Sequence, residues 1–183
     1  MAILKNQEIY FVKLDPNRPD KGMGTAAQPP KPNWSVTIRT TDKAVRKGWT
    51  DMGITSKAVR EDKTDEESKI MYYQATLRKN ANTLKNNALV PAKPVDIVDG
   101  KHQDIDPNSV GNGSVANLML FERKYKLEGV DKVSWILMKV QVVKLKVYVH
   151  KPMEDFEDCD TEVIMPEDKP DGGTTDGADS DLY

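Results

Sequence analysis

The chain is 183 residues long, with 27 basic and 29 acidic side chains and a formal net charge of −2. Its single cysteine, Cys159, excludes an intrachain disulfide framework, which fits a reducing compartment, and two histidines (His102 and His150) leave no zinc-ligand spacing. No stretch approaches the roughly 20 apolar residues of a membrane span, and Met1 to Asn6 does not open a signal peptide, so the expectation is a soluble, cytoplasmic protein with no membrane partner.

Glu8 to Asp15 is rich in β-branched and aromatic residues and stops at Asp15-Pro16-Asn17, the pattern of a first strand. Arg18 to Asn33 carries Gly22, Gly24, Pro29, Pro30 and Pro32 and reads as a long irregular loop. Trp34 to Arg39 alternates, which predicts Trp34, Val36 and Ile38 toward a core and Ser35, Thr37 and Arg39 outside. A short helix follows, with Thr41 as the predicted N-cap, an apolar face of Ala44, Val45, Gly48, Trp49 and Met52, and Gly53 as its stop. Trp49 reads as a core plug beneath a sheet, because large aromatics mostly serve burial.

Lys57–Asp62 and Lys69–Asn80 read as two strands joined by a charged turn. On the second, Met71, Tyr73, Ala75 and Leu77 form an apolar face, opposite Tyr72, Gln74, Thr76 and Arg78. That second face suits single-stranded nucleic acid, since a ring stacks on a base and a guanidinium meets a phosphate. It suits plain solvent exposure equally. Asn86 to Pro94 reads as a linker before a short strand, Val95–Val98.

Asp104 to Asn108 begins like a calcium loop, but its glycine comes late and Val115 stands where a bidentate Glu is required, so calcium binding is rejected. Gly111-Asn112-Gly113-Ser114 has neither the lysine nor the helix of a phosphate loop and is read as a turn into a strand, Val115–Leu127. That strand ends in a basic-aromatic segment, Arg123-Lys124-Tyr125-Lys126, and Glu128 to Asp131 turns the chain. Val133–Val149 is the longest predicted strand. Ile136, Met138, Val140 and Val142 keep one phase and Val143, Leu145, Val147 and Val149 the other, so a bulge is expected at Val142-Val143. Beyond it Lys144, Lys146, Tyr148 and His150 are expected to point outward, as a binding face or as an ordinary solvated edge.

The last segment changes character. Residues 151–183 hold twelve Asp or Glu against Lys151 and Lys169, a net of −10, while residues 1–150 hold 25 basic and 17 acidic groups, a net of +8. Such asymmetry points to nucleic-acid or partner binding. The tail has too little apolar surface to offset the ordering of its backbone, yet it ends Asp179-Ser180-Asp181-Leu182-Tyr183. The organisation expected is a folded domain over 1–150 and a flexible acidic tail over 151–183. Gly-x-Ser-x-Gly, Walker and dinucleotide fingerprints are absent from the sequence, and its acidic pairs fall in turns or the tail, so a non-enzyme with no metal or other cofactor is expected.

Taken in order, the chain resembles the single-stranded DNA-binding proteins of tailed bacteriophages. The matching features are Phe11–Asp15, the Gly/Pro loop at Lys21–Pro32, Trp34–Arg39 leading into a helix, Tyr72–Lys79 and Val95–Val98. Gly111–Ser114 opening a strand, Val133–Val149 and the Asp179–Tyr183 ending complete them. The resemblance implies an all-β fold with one short helix, an OB-fold-like five-stranded barrel, plus a disordered acidic C-terminal tail. It implies a non-catalytic role in phage DNA replication and recombination. The tail, through Asp176, Asp179, Asp181, Leu182 and Tyr183, would compete with DNA and recruit phage or host polymerase, helicase or nuclease; a homodimer is compatible with it. From strand phase alone, the candidate DNA contacts are Arg39, Tyr72, Arg78, Arg123, Lys124, Tyr125, Lys144, Lys146 and Tyr148. The alternative is a non-enzymatic β-rich structural or interaction protein of a virion, whose tail only keeps it soluble.

Overall fold

Alternating apolar residues on five long segments give each a face that is stable only when buried, and these faces close on one another. The computed structural model describes residues 1–22, 31–86 and 88–148. The ring strands are β1 (Ala2–Lys13), β2 (Asn33–Thr40), β4 (Ile70–Asn80), β8 (Ser114–Leu127) and β9 (Val130–Lys144). β1 pairs with β2, β2 with β4, β4 with β9 in parallel, β9 with β8, and β8 returns to β1. Counted along the chain, the ring runs first, second, third, fifth, fourth and back to the first. This five-stranded Greek-key closure is the OB-type barrel. The fold is all-β with one short α-helix among the described residues.

The interior is filled by Ile9, Val36, Ile38, Leu118, Leu120, Leu137 and Val140, all fully buried. Four bulges bend the strands enough to close the ring. On β1 the register shifts between Leu4 and Gln7, where Asn6 has φ 53°, and between Tyr10 and Lys13, where Phe11 has φ 50°. On β9, Met138 and Val143 are each the extra residue opposite an uninterrupted β8.

Helix α1 (Lys43–Asp51) lies between β2 and β3 (Lys57–Arg60). Its N-cap is Asp42, whose carboxylate accepts the Ala44 amide at 2.7 Å, and not Thr41. The helix ends in a Schellman motif: Gly53 N–H donates to Thr50 O and Ile54 N–H to Trp49 O, each at 2.8 Å. Trp49 is buried, as expected of a core plug, and its indole N–H donates to Gln7 Oε1 at 2.9 Å. Only Val45 and Met52 join it from the expected face, while Ala44 and Gly48 stay exposed.

Other expectations need correction. The first strand starts at Ala2, six residues earlier than the β-branched run suggests. Ser35 and Thr37 are buried on the outer face: Ser35 stands between the longer Lys13 and Arg78, and Thr37 lies beside Tyr10 with its hydroxyl 3.2 Å from that of Thr76. Met71 is exposed at a bulge against β3. The bulge expected at Val142-Val143 is present, but the second one at Met138 turns Leu137 inward in place of Ile136 and Met138. Val143, Leu145 and Val147 remain exposed, since β9 ends at Lys144 and only Val147 continues, through one bridge to Val110. Within the expected linker Asn86–Pro94 lies a strand, β6 (Ala88–Pro91), which pairs as a hairpin with β5 (Asn82–Lys85) just before it. β7 (Asp96–Val98) then adds in parallel to β9, close to the predicted strand.

The turn at Gly111–Ser114 explains its own glycines. A Cβ on Gly111 would lie 2.7 Å from Lys146 O, whose carbonyl accepts the Gly111 amide, so only glycine permits this approach. Gly113 sits at φ 82° under the Lys146 side chain, and its amide donates to Ile9 O. The loop is therefore a strut between β1 and the segment after β9.

Candidate nucleic-acid interface

The outer face of β1, β2 and β4 is built by strand alternation. Around Arg39 on β2 stand Glu8 on β1 and Gln74 on β4 as direct neighbours. The Arg39 guanidinium carbon lies 4.3 Å from the Tyr10 ring centroid, 4.4 Å from that of Tyr72 and 4.9 Å from that of Phe11. Two strands flanking β2 thus supply three rings to one cation. Each such contact is worth about 0.5–1 kcal/mol where water still reaches it. Arg39 Nε is buried without an acceptor, and among the described residues no salt bridge neutralises the guanidinium.

Ordinary alternation would put Tyr10 and Phe11 on opposite faces. The bulge at Phe11 breaks that rule and brings both rings to Arg39. It is held from outside: Asn112 Oδ1 accepts the Phe11 amide at 2.8 Å. Phe11 keeps 51% of its surface exposed. Burial, and secondarily the neighbouring Glu8 carboxylate, raises the Tyr10 phenol above its ordinary range, so it stays protonated and donates to Glu8 Oε2. A groove of about 560 Å³ opens beside the cluster, lined by Lys5, Glu8, Tyr10, Arg39, Thr40 and Tyr72 among others.

From Arg39 the same face runs along β4 past Thr76 to Arg78. Gln74 and Arg78 are four residues apart, a span of about 13 Å. At that end Lys13 Nζ meets Asp20 Oδ2 at 2.7 Å. The Lys13 hydrogen bond, then the Gly22 amide, lowers the Asp20 carboxyl below its usual range. Arg78 also lines a second hollow, of about 650 Å³, together with Lys79, Lys85, Lys93, Arg123 and Trp135. Burial holds the Lys79 ammonium below its ordinary pKa.

Of the nine candidate contacts, Arg39 and Tyr72 are brought into one cluster, with Arg78 on the same face and Arg123 sharing a hollow with Arg78. Tyr125 is exposed on the Arg123 side of the β8–β9 hairpin, whereas Lys124 is on the opposite side, 3.6 Å from Glu122. Lys144, Lys146 and Tyr148 are exposed, and the Lys146 side chain lies over Gly113 of the strut. The tail candidates Asp176, Asp179, Asp181, Leu182 and Tyr183, with His150, lie outside the described residues. Phase alone missed Tyr10, Phe11, Lys13, Lys85 and Lys93. The adjacent aromatics Tyr10-Phe11 inside a strand were the one signal for the first two.

Neither Trp34 nor Trp49 is a stacking platform: both are buried, and the Trp34 indole N–H donates to Asp15 O at 2.9 Å. Trp135 is half-buried, its N–H donating to Met52 O at 2.6 Å.

No protein-family model matches the sequence, and no curated protein matches it either. Among solved structures, the chain is similar to the single-stranded DNA-binding protein of bacteriophage Enc34 in complex with single-stranded DNA. That match has a TM-score of 0.49 at 13% identity, over 83% of this chain and 88% of that one. It is also similar to the single-stranded DNA-binding protein encoded by bacteriophage T7, with a TM-score of 0.47 at 16% identity, over 86% of this chain and 96% of that one.

Proposed function

We propose that the protein is a non-catalytic single-stranded DNA-binding protein that coats strands with little sequence preference. The observation that carries this reading is the Arg39 cluster on the outer β1–β2–β4 face. In an OB-type barrel, the face of the second and third barrel strands is where oligonucleotides bind, and here those strands are β2 and β4. Arg39 and Arg78 take phosphates, while Phe11 and Tyr72 offer ring faces on which any base stacks. The rings are already ordered around the guanidinium, which lowers the entropy lost on binding.

The +8 charge of residues 1–150 supports a backbone-tracking mode, and the −10 of residues 151–183 supports a competing tail. In this reading the tail occupies the basic face when DNA is absent, at the high local concentration its tether provides. DNA releases it to recruit phage or host polymerase, helicase or nuclease through Asp176, Asp179, Asp181, Leu182 and Tyr183. The setting is phage DNA replication and recombination in the cytoplasm of an infected host.

The test is a titration of labelled oligo-dT at several salt concentrations, with the full chain beside a version ending at His150. Binding should weaken by roughly 0.7 log units per contacted phosphate for each tenfold rise in salt, and the shortened chain should bind tighter. Absence of binding by both forms at low salt refutes the reading and leaves a structural or interaction role. Weaker binding by the shortened chain refutes the competing tail alone.

A further inference from the structure

The Arg39 face stops at Arg78, but the basic surface does not. Beyond Arg78 the β5–β6 hairpin overhangs the place where β4 meets β9, and its root makes two hollows. The first has cations on its walls, Lys79, Lys85, Lys93 and Arg123 beside Arg78, and no acidic residue lines it. The second, of about 600 Å³, is largely apolar, with Pro32, Leu84, Leu89 and Ile136. The two share Asn80, Asn82, Thr83, Arg123 and Ile136, so they are two sides of one cleft. Leu84 and Leu89 are a cross-strand pair, 66% and 73% exposed, one on each four-residue strand of the hairpin.

An exposed leucine pair on a short hairpin serves no core, and of the cations on the facing wall only Lys93 has a carboxylate partner among the described residues, Asp96 at 3.1 Å. Side by side they match the two halves of a nucleotide: phosphate on the cations, base against the apolar wall. Continuity through Arg78 assigns the same ligand as the Arg39 face.

Resting on the single-strand reading above, we propose that the cleft beneath the β5–β6 hairpin is a second binding segment for single-stranded DNA. A strand leaving the barrel face at Arg78 passes under the hairpin. Its phosphates meet Lys85, Lys93 and Arg123, and its bases lie against Leu84 and Leu89. Trp135 lines the cationic side and reports its occupancy, since the other two tryptophans are buried.

The experiment uses the full chain and two labelled oligo-dT probes. One is about six nucleotides, short enough for the barrel face, and one is roughly sixteen, at the upper end of OB-type site sizes. Lys85 and Lys93 are exposed, so the double variant Lys85→Glu/Lys93→Glu keeps the fold. Its salt slope on the long probe should be shallower by roughly 1.4, and its affinity near 0.1 M salt about 25-fold weaker. Its affinity for the short probe should change little. Leu84→Ser/Leu89→Ser should weaken only the long probe, with its salt slope intact. Trp135 emission should respond to the long probe and not to the short one. Unchanged binding of the long probe by both double variants overturns the cleft while leaving the barrel face standing. Failure of the unmodified chain to bind either probe overturns the single-strand reading itself.

Discussion

Arg39 is the side chain on which the proposed binding face turns, and two substitutions separate its roles. Arg39→Ala removes a cation and the centre of three ring contacts at 4.3, 4.4 and 4.9 Å. Losing one phosphate contact makes the salt slope shallower by about 0.7, or roughly fivefold in affinity near 0.1 M salt. Loss of ring order adds a stacking penalty within the ~1–3 kcal/mol that one base–aromatic contact supplies. The combined expectation is a loss of at least about 30-fold and up to roughly 800-fold. Arg39→Lys keeps the charge but not the planar group that lies among the rings. Its salt slope should match the native chain while its affinity still falls severalfold. The assay is anisotropy of labelled oligo-dT over a salt series, with thermal melting as a control for folding. Full native affinity in the Lys variant would show that the ring contacts do not matter to binding. An unchanged slope in the Ala variant would remove Arg39 from the phosphate path.

Further expectations follow from other contacts. Tyr72→Ala should weaken oligo-dT binding by about 1–3 kcal/mol with little change in salt slope, whereas Tyr72→Phe should bind nearly as the native chain; equal losses in the two would exclude stacking. Asp42→Ala removes the helix cap and should lower stability by about 1 kcal/mol in denaturant melts, whereas Thr41→Ala should stay near neutral. Gly111→Ala forces a Cβ against Lys146 O at 2.7 Å and should destabilise by about 1–3 kcal/mol, detectable as a lower melting temperature. The Asp20 carboxyl is depressed in the fold, so its bond to Lys13 contributes stability above the unfolded pKa and loses it as pH falls through the folded one. Both groups are partly exposed, so that contribution should stay under about 1 kcal/mol, and Asp20→Asn should remove the corresponding acid limb. The same variant frees Lys13 and should tighten oligo-dT binding at neutral pH.

Strand existence was legible because alternation is a local property. Val36 and Ile38 on β2, and Tyr73, Ala75 and Leu77 on β4, are buried as their spacing predicts. Ring closure was legible only through resemblance, since the Arg78–Ile136 pairing of β4 with β9 leaves no local trace. The β5–β6 hairpin is not legible, and its second strand reads as a linker, because both strands are four residues long and almost wholly exposed. Hydrophobic periodicity reports burial, and a hairpin that buries nothing gives no period. Arg39, Tyr72 and Arg78 fall on one face, as alternation predicts, because β2 and β4 pair without a break from Asn33–Asn80 to Thr40–Tyr73. Ile136 and Met138 were misplaced because Met138 is a bulge.

That pattern bears on the site itself. A bulge shifts every later side chain by one face, so phase reading fails at the residues where a strand is bent. At Phe11 the bent residue is also the functional candidate. Its left-handed backbone costs on the order of 1–3 kcal/mol for a bulky residue, and β1 accepts it although a regular strand would avoid that cost. The Asn112 side chain on the Gly111–Ser114 strut accepts the amide that the bulge withdraws from the ladder. The strut is fixed in turn by the Gly111 and Ser114 contacts to Lys146. Asn112→Ala tests whether the bulge is built for the rings. With that bond lost to solvent, the strand should lose about 0.5–1.5 kcal/mol of stability, and Phe11 should leave the cluster. If the bulge serves binding, oligo-dT affinity falls alongside stability, and Phe11→Ala in the same background adds no further loss. If the two losses are additive, Phe11 reaches its position without Asn112, and the bulge belongs to barrel closure alone.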